Sequence, residues 1–201
     1  MNTTTTGTKT ATESRARRVS GRHPLLPTGG AALSDDGLDE DTARAWAAAA
    51  TAVAAPFGLG PVEQPAPTGA IGQIELRGVE AATRNGDDHV TFEFSAVLPG
   101  YRVAYHDGPI EHCASGAPLP VAGGAFLEVR LSPAQAHTEA GQPTLTFTEQ
   151  ALDLGVAREL QATCDFEGVV IWMIGLGSKV PFRVTEKANP PRLVVDLHPG
   201  T

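Results

Sequence analysis

The sequence has few aromatic residues, no long apolar run and no excess of basic charge. Aromatic side chains make up 5% of its 201 residues. No run of 18 apolar residues occurs, so no transmembrane helix is expected. The formal net charge is -8, with 15 Lys and Arg residues against 23 Asp and Glu residues. Because nucleic acids and anionic lipids are bound chiefly through Lys and Arg, the composition argues against both as partners.

The motifs of common enzyme classes are also missing. No Gly-x-Ser-x-Gly occurs, so an elbow-type serine hydrolase has no support. Residues 175–179 lack the spacing of a phosphate-binding loop and precede no helical pattern, so they predict a turn. The His, acidic and Cys residues of the 106–113 segment match no zinc-site spacing. We therefore expect no metal, no cofactor and no catalytic residue.

Only two cysteines are present, Cys113 and Cys164. A bridge between them would close a loop of about 51 residues and stabilise the fold by roughly 4 kcal/mol in the chain-entropy model. Such a bridge needs an oxidising compartment, and in a reducing one the pair stays as two thiols. The sequence alone leaves both states open.

The composition changes along the chain. Residues 1–68 are rich in Thr, Ala, Gly and Pro and hold few large apolar side chains. Such a segment cannot bury enough surface to offset the entropy of ordering it. We therefore predict a disordered tail and linker over residues 1–68, followed by one folded domain over residues 69–199.

An Ala-rich run interrupts the predicted tail. Acidic residues precede it and Pro56 follows it, which predicts a short helix over residues 41–55. Alternatively, residues 43–55 form the apolar core of a secretory signal, because residues 52–54 resemble a small-residue cleavage site. Acidic residues just upstream count against a signal.

The strongest structural pattern lies between residues 165 and 197. Residues 169–176 are apolar at every position, which is typical of a central strand covered on both faces. Residues 180–186 and 192–197 alternate between apolar and polar side chains, as half-buried strands do. These runs predict three strands in series.

Earlier segments show the same alternation. Asn85-Gly86 stands between two apolar runs, which is a strong hairpin signal. Eight or nine short strands, frequent turns and no long helical pattern predict an all-β fold, and specifically a two-sheet β-sandwich. Further strands are predicted at residues 90–94, 101–105, 127–131 and 144–148, and residues 154–162 favour a strand over helical turns.

Five short motifs resemble a known family when taken in order. They are Pro99-Gly100-Tyr101-Arg102-Val103-x-Tyr105, Ala125-Phe126-Leu127-Glu128-Val129-Arg130-Leu131, Asp165-Phe166-Glu167-Gly168-Val169, Phe182-Arg183-Val184 and Pro191-Arg192-Leu193-Val194-Val195-Asp196. Together they resemble the AMIN-like domain of actinobacterial secreted proteins and lipoproteins. The resemblance covers about residues 70–198.

The resemblance implies a non-catalytic module that binds or localises to the cell envelope, similar to the AMIN modules that direct cell-wall amidases. It implies a two-sheet β-sandwich, a secreted or envelope location, and peptidoglycan, another envelope glycan or an envelope protein as partner. It assigns no catalytic residue. Two other functions stay open. One is an interaction protein that binds through a sheet edge, and the other is a glycan hydrolase that uses Asp165 and Glu167.

Four residues are candidates for ligand binding. Arg102 and Arg183 are predicted to point outward on a polar sheet face that also holds Arg192, where guanidinium groups could bind the carboxylates of wall peptides. Tyr101 could stack on a sugar ring, while Trp172 is expected in the core. Glu167 is the fourth candidate. The simpler interpretation of the arginines is exposed ion pairs, which contribute about 0–1 kcal/mol.

Overall fold

The computed structural model describes residues 55–68 and 74–200. The predicted disordered tail up to residue 54, and with it the Ala-rich helix or signal core, lies outside the described residues. Within the described residues the protein is a two-sheet β-sandwich, which confirms the predicted all-β fold.

Eleven strands within the described residues form the two sheets, and eight of them are longer than three residues. They are β1 (Val62–Gln64), β2 (Ile74–Arg84), β3 (Asp87–Phe94), β4 (Gly100–Tyr105), β5 (Ala125–Ser132), β6 (Ala134–Gln135), β7 (Glu149–Ala151), β8 (Ala157–Phe166), β9 (Val169–Leu176), β10 (Phe182–Ala188) and β11 (Pro191–Leu197). The six-stranded sheet has the order β1-β4-β5-β9-β8-β7, and the five-stranded sheet has the order β10-β11-β3-β2-β6. Neighbouring strands are antiparallel except for β2 and β6, which are parallel.

A tight turn at Asn85-Gly86 joins β2 to β3, as predicted. The two residues have φ values of 54° and 88°. Two successive left-handed residues define the two-residue turn that matches the twist of an antiparallel hairpin. Asn and Gly adopt this conformation at the least steric cost, so the dipeptide fixes the register of the hairpin.

β9 lies between β5 and β8 and is covered on both of its faces. On the inner face Trp172 is fully buried between the sheets, with its ring 6.4 Å from that of Phe92 in an edge-on arrangement. On the outer face Met173 is only 2% exposed. The predictions of a central strand over residues 169–176 and of a core position for Trp172 are both confirmed.

The segment over residues 106–124, here called the strap, covers the part of the outer face of the six-stranded sheet that lies over β8 and β9. It is joined to β8 by a disulfide between Cys113 and Cys164. The Cys113 N–H donates a hydrogen bond to the Thr163 carbonyl at 3.1 Å, and the Ala122 N–H donates to Glu159 Oε2 at 2.6 Å. The described residues contain no free cysteine, so the bridged state is the one present in this structure.

Two local predictions differ from the structure. Residues 144–148 were predicted to form a strand but form bends instead. Their alternation still reflects burial, because Leu145 and Phe147 pack against the core while the Thr144 hydroxyl donates to the Leu76 carbonyl at 2.6 Å. In the other direction, Val62–Gln64 lies in the predicted linker, yet it pairs with β4 as the edge strand β1.

Candidate functional site

The outer face of the five-stranded sheet carries its side chains in rows that cross the strands. Residues directly opposite one another on neighbouring strands share a row, and alternate rows point to the same face. From β10 through β11 to β3, the three outward rows are Arg183, Asp196 and His89; then Thr185, Val194 and Thr91; then Lys187, Arg192 and Glu93.

The middle row forms the floor of a shallow depression of about 790 Å³, here called the trough. Thr185, Val194 and Thr91 are shorter than the charged side chains of the rows on either side, so the surface is lower between those rows. No hydrogen bond within the described residues uses the hydroxyl of Thr91 or Thr185. The floor therefore offers two hydroxyl groups and one small apolar side chain to a ligand.

The first row is held together by one carboxylate. Asp196 accepts a hydrogen bond from Arg183 Nε at 2.6 Å through Oδ2, and its Oδ1 lies 2.5 Å from His89 Nδ1. The other ring nitrogen of His89 lies 3.1 Å from the Arg84 carbonyl oxygen. The Arg183 guanidinium also lies 4.4 Å from the centre of the Phe57 ring, in cation–π geometry. Arg183 is thus fixed in position beside the floor.

The third row is more weakly paired. Arg192 Nε lies 3.9 Å from Glu93 Oε2, which is too long for a hydrogen bond. This Nε is buried and has no hydrogen-bond partner within the described residues, so only the terminal guanidinium nitrogens of Arg192 can reach a ligand. Lys187, directly opposite Arg192 on β10, is exposed and forms no ion pair there. The cationic groups of this row therefore keep donors that a ligand could use.

The trough concentrates positive charge in an acidic domain. From Gly69 onward the chain carries 9 basic and 16 acidic residues. Four of the basic residues line the trough, against two acidic ones, Glu80 and Asp196. Asp196 pairs with Arg183, and Glu93 lies 3.9 Å from Arg192, which still leaves basic residues in excess, so the surface favours an anionic ligand. The basic residues are Arg84, Arg183, Lys187 and Arg192.

The structure does not bring the two candidate arginines together. Arg183 lies on β10 in the five-stranded sheet, whereas Arg102 lies on β4 in the six-stranded sheet. Arg102 is exposed and donates from Nε to Glu63 Oε1 on β1 at 2.5 Å. The predicted polar face shared by all three arginines is therefore wrong for Arg102, while Arg183 and Arg192 do share a face.

Tyr101 also lies away from the trough. It points inward between the sheets, half-buried, and its hydroxyl donates to Glu186 Oε1 on β10 at 3.0 Å. Burial raises the pKa of Tyr101, and the hydrogen bond and negative charge of Glu186 raise it further. Tyr101 thus ties the two sheets together at one side, and its ring face is not freely presented to a sugar.

The acidic pair Asp165 and Glu167 lies at the β8–β9 hairpin. Asp165 accepts a hydrogen bond from the Ala136 N–H at 3.0 Å, and its second oxygen lies 2.8 Å from His137 Nδ1. Glu167 is exposed in the turn itself, with φ of 50°. Both carboxylate oxygens of Asp165 already have partners, and Glu167 lies in the turn. This arrangement is more typical of residues that stabilise a hairpin than of a catalytic pair.

Within residues 55–68 and 74–200, no group of three His, Cys, Asp or Glu side chains could hold a metal ion. The same residues include no helix with the length and apolar character needed to cross a bilayer.

A comparison with family models places this fold among known domains. The model of the AMIN-like domain matches residues 74–199, which covers the sandwich from β2 to just past β11. The chain belongs to the AMIN-like family. A search of curated proteins gave no match, and neither did a search of solved structures. Membership of the AMIN-like family indicates a cell-wall-associated binding module with an envelope or secreted location.

The trough was only partly foreseeable from the sequence. Alternation along β10 and β11 correctly directs Arg183 and Arg192 outward. It does not reveal that His89 and Thr91 lie beside them, because the pairing of β3 with β11 joins segments about 100 residues apart. Alternation along β3 alone indicates that His89 and Thr91 point outward. It does not indicate that they lie next to Asp196 and Val194.

Proposed function

We propose that this AMIN-like domain binds peptidoglycan without catalysing a reaction on it, and that the trough is its binding surface. Peptidoglycan combines sugar hydroxyl groups with the carboxylates of its peptides. The trough combines threonine hydroxyl groups on the floor with cationic side chains along both margins. Charge-assisted hydrogen bonds from guanidinium to carboxylate are among the stronger polar contacts in proteins.

The observation that carries this proposal is the alignment of Arg183, Lys187 and Arg192 beside the hydroxyl-bearing row. Arg183 is preorganised by Asp196 and Phe57, so it loses little side-chain entropy on binding. Arg192 and Lys187 bring charge that Glu93 only weakly balances. A ligand with spaced carboxylates would engage both margins while its sugar rings lie along the floor.

Retention of the purified full chain on peptidoglycan sacculi tests this proposal. The variant with Lys187→Gln and Arg192→Gln together should bind about tenfold more weakly, because it loses at least one charge-assisted contact. Arg102→Gln combined with Arg130→Gln is the matched control, since it removes two exposed basic charges from the other sheet. Wild-type chain that stays in the supernatant would reject the proposal. Equal losses in both variants would show that general charge, and not the trough, mediates binding.

The hydrolase alternative has a separate test. If the domain cleaves envelope glycans, Glu167→Gln should abolish the release of reducing ends from sacculi while leaving retention unchanged. We expect the wild-type chain to release none. The position of Glu167 in the β8–β9 turn supports that expectation, because a turn residue with positive φ contributes to the hairpin itself.

A further inference from the structure

The side of β2 that faces away from β3 is largely unpaired in the described part of the chain. β2 pairs with β3 on one side, and on its other side it meets β6 only at Ile74 and Glu75. Beyond Leu76, whose carbonyl accepts the Thr144 hydroxyl, no described strand pairs with that side of β2. Residues 78–84 therefore present backbone N–H and C=O groups along an open edge.

This edge has little of the usual protection against pairing. Edge strands are commonly blunted by proline, by charged side chains and above all lysine, or by a bulge. Residues 78–84 contain neither proline nor lysine, and the irregularity of β2 lies before them, between Leu76 and Gly78. An extended strand that approached this edge would therefore meet a regular series of N–H and C=O groups.

The charges on this edge are complementary to themselves. Glu80, Ala82 and Arg84 point to the outer face of the sheet, and both charged side chains are exposed. Neither forms an ion pair within the described residues. When two copies of β2 run antiparallel with Ala82 opposite Ala82, each Glu80 stands opposite the Arg84 of the other copy. A register centred on Glu80 or on Arg84 would instead place like charges together, which is destabilising.

We infer that two copies of this chain pair through β2 in an antiparallel, twofold-symmetric dimer centred on Ala82. The pairing joins two five-stranded sheets into one continuous sheet of ten strands. It buries the open backbone groups of residues 78–84 and forms two reciprocal Glu80–Arg84 contacts, as isologous interfaces do. This inference goes beyond the proposed function and does not depend on it, because no ligand takes part, although Glu80 and Arg84 also line the trough.

Charge reversal tests the pairing on the full chain. Sedimentation velocity over a wide concentration range should show a monomer–dimer equilibrium for the wild type. E80R and R84E should each weaken the dimer about tenfold or more, since each creates two like-charge contacts. An equimolar mixture of E80R and R84E should form a heterodimer, and the double variant E80R/R84E should recover the homodimer. R130E, an exposed reversal on β5 of the other sheet, is the matched control and should dimerise like the wild type.

A cross-link tests the register. Both native cysteines are engaged in the disulfide, so A82C adds the only thiol available within the described residues. Mild oxidation should convert A82C into a covalent dimer, whereas E80C, which would face Arg84 of the other copy, should cross-link poorly. A wild-type chain that remains monomeric at every concentration overturns the inference. So does a dimer that E80R and R84E leave unchanged, once circular dichroism has shown that both variants are folded.

Discussion

Asp88 and Val156 connect the two sheets at one end of the sandwich. Asp88 lies in β3 of the five-stranded sheet, and its Oδ2 accepts a hydrogen bond at 2.7 Å from the Val156 N–H, just before β8 of the six-stranded sheet. The Ala157 and Gly155 N–H groups and the Thr83 hydroxyl also donate to this carboxylate. The side chain is nearly inaccessible, at 1% exposure of the residue.

Replacement of Asp88 should therefore destabilise the fold and change its response to acid. Burial raises the pKa of Asp88, but the hydrogen bonds together outweigh burial and hold the pKa below its ordinary value of 3.8. The carboxylate thus contributes stability above pH 3.8 that is lost as pH falls through its lower folded-state pKa. Asp88→Asn should lower the free energy of unfolding by about 1–3 kcal/mol at neutral pH. Urea denaturation at several pH values should show a smaller difference between variant and wild type in acid, and parallel curves would contradict this account.

Loss of the disulfide should loosen the strap and lower stability. The bridge between Cys113 and Cys164 spans a sequence separation of 51 residues. The chain-entropy model gives roughly 4 kcal/mol for such a loop, and measured losses usually fall at about 2–5 kcal/mol. We expect the double variant Cys113→Ser/Cys164→Ser to lose that amount in urea denaturation. Hydrogen exchange should rise across residues 106–124 but not in β11, which lies in the other sheet.

A side chain at Gly175 should lift the strap from the sheet. An ideal Cβ at this position would collide with the Ala122 carbonyl oxygen and approach the Val121 side chain to 3.1 Å. Gly175→Ala should cost about 1–3 kcal/mol in the free energy of unfolding, as overpacking does. Gly78→Ala is the control, because its nearest neighbour would be Glu93 Cβ at an ordinary 3.6 Å. Equal free energies of unfolding for the two variants would contradict this prediction, because they would show that the strap can move away from Gly175 at little cost.

The phenol groups of the two tyrosines should lose their protons only at a pH above the ordinary value for tyrosine. Burial raises the pKa of both Tyr101 and Tyr105; at Tyr101 Glu186 adds to the rise, and at Tyr105 the hydrogen bond from Val180 partly offsets it. The chain contains no other tyrosine. The ultraviolet absorbance of tyrosinate should therefore appear only above pH 10.0 in the folded protein, and near pH 10 in urea. Since the folded state favours the neutral phenols, stability present below pH 10 should fall as pH rises through the raised values. Tyrosinate absorbance with a midpoint at pH 10 before unfolding would contradict this.

Alternation and apolar runs predicted most of the fold. The apolar run of β9 correctly indicated a strand covered on both faces. Successive side chains of a strand point to opposite faces of the sheet, and a central strand can bury both sets. It could not indicate what covers the outer face. The strap reaches β8 through contacts such as Cys113 N–H to the Thr163 carbonyl, which depend on the fold and leave no periodic pattern in the strap itself.

The errors have related physical causes. Val62–Gln64 is too short for a periodic signal, and it forms a strand because β4 offers a free edge, with Glu63 opposite Arg102. Residues 144–148 alternate because Leu145 and Phe147 reach the core, although the backbone forms bends. Alternation reports which side chains are buried. It reports neither the partner of a strand nor the sheet to which it belongs, and this is why Arg102 was assigned to the face of Arg183.

The strap has a consequence for how this domain can change over generations. At Gly175 its main chain lies directly against the main chain of the sheet, with no side chain between them. Substitutions on that side are constrained by backbone contact, so few of them can be tolerated one at a time. On the outer face of the opposite sheet the floor side chains Thr185, Val194 and Thr91 form no side-chain hydrogen bond within the described residues, so each of these can be exchanged singly. New ligand preferences among descendants of this domain should therefore arise on the face of β10, β11 and β3, while the strapped face keeps the fold constant.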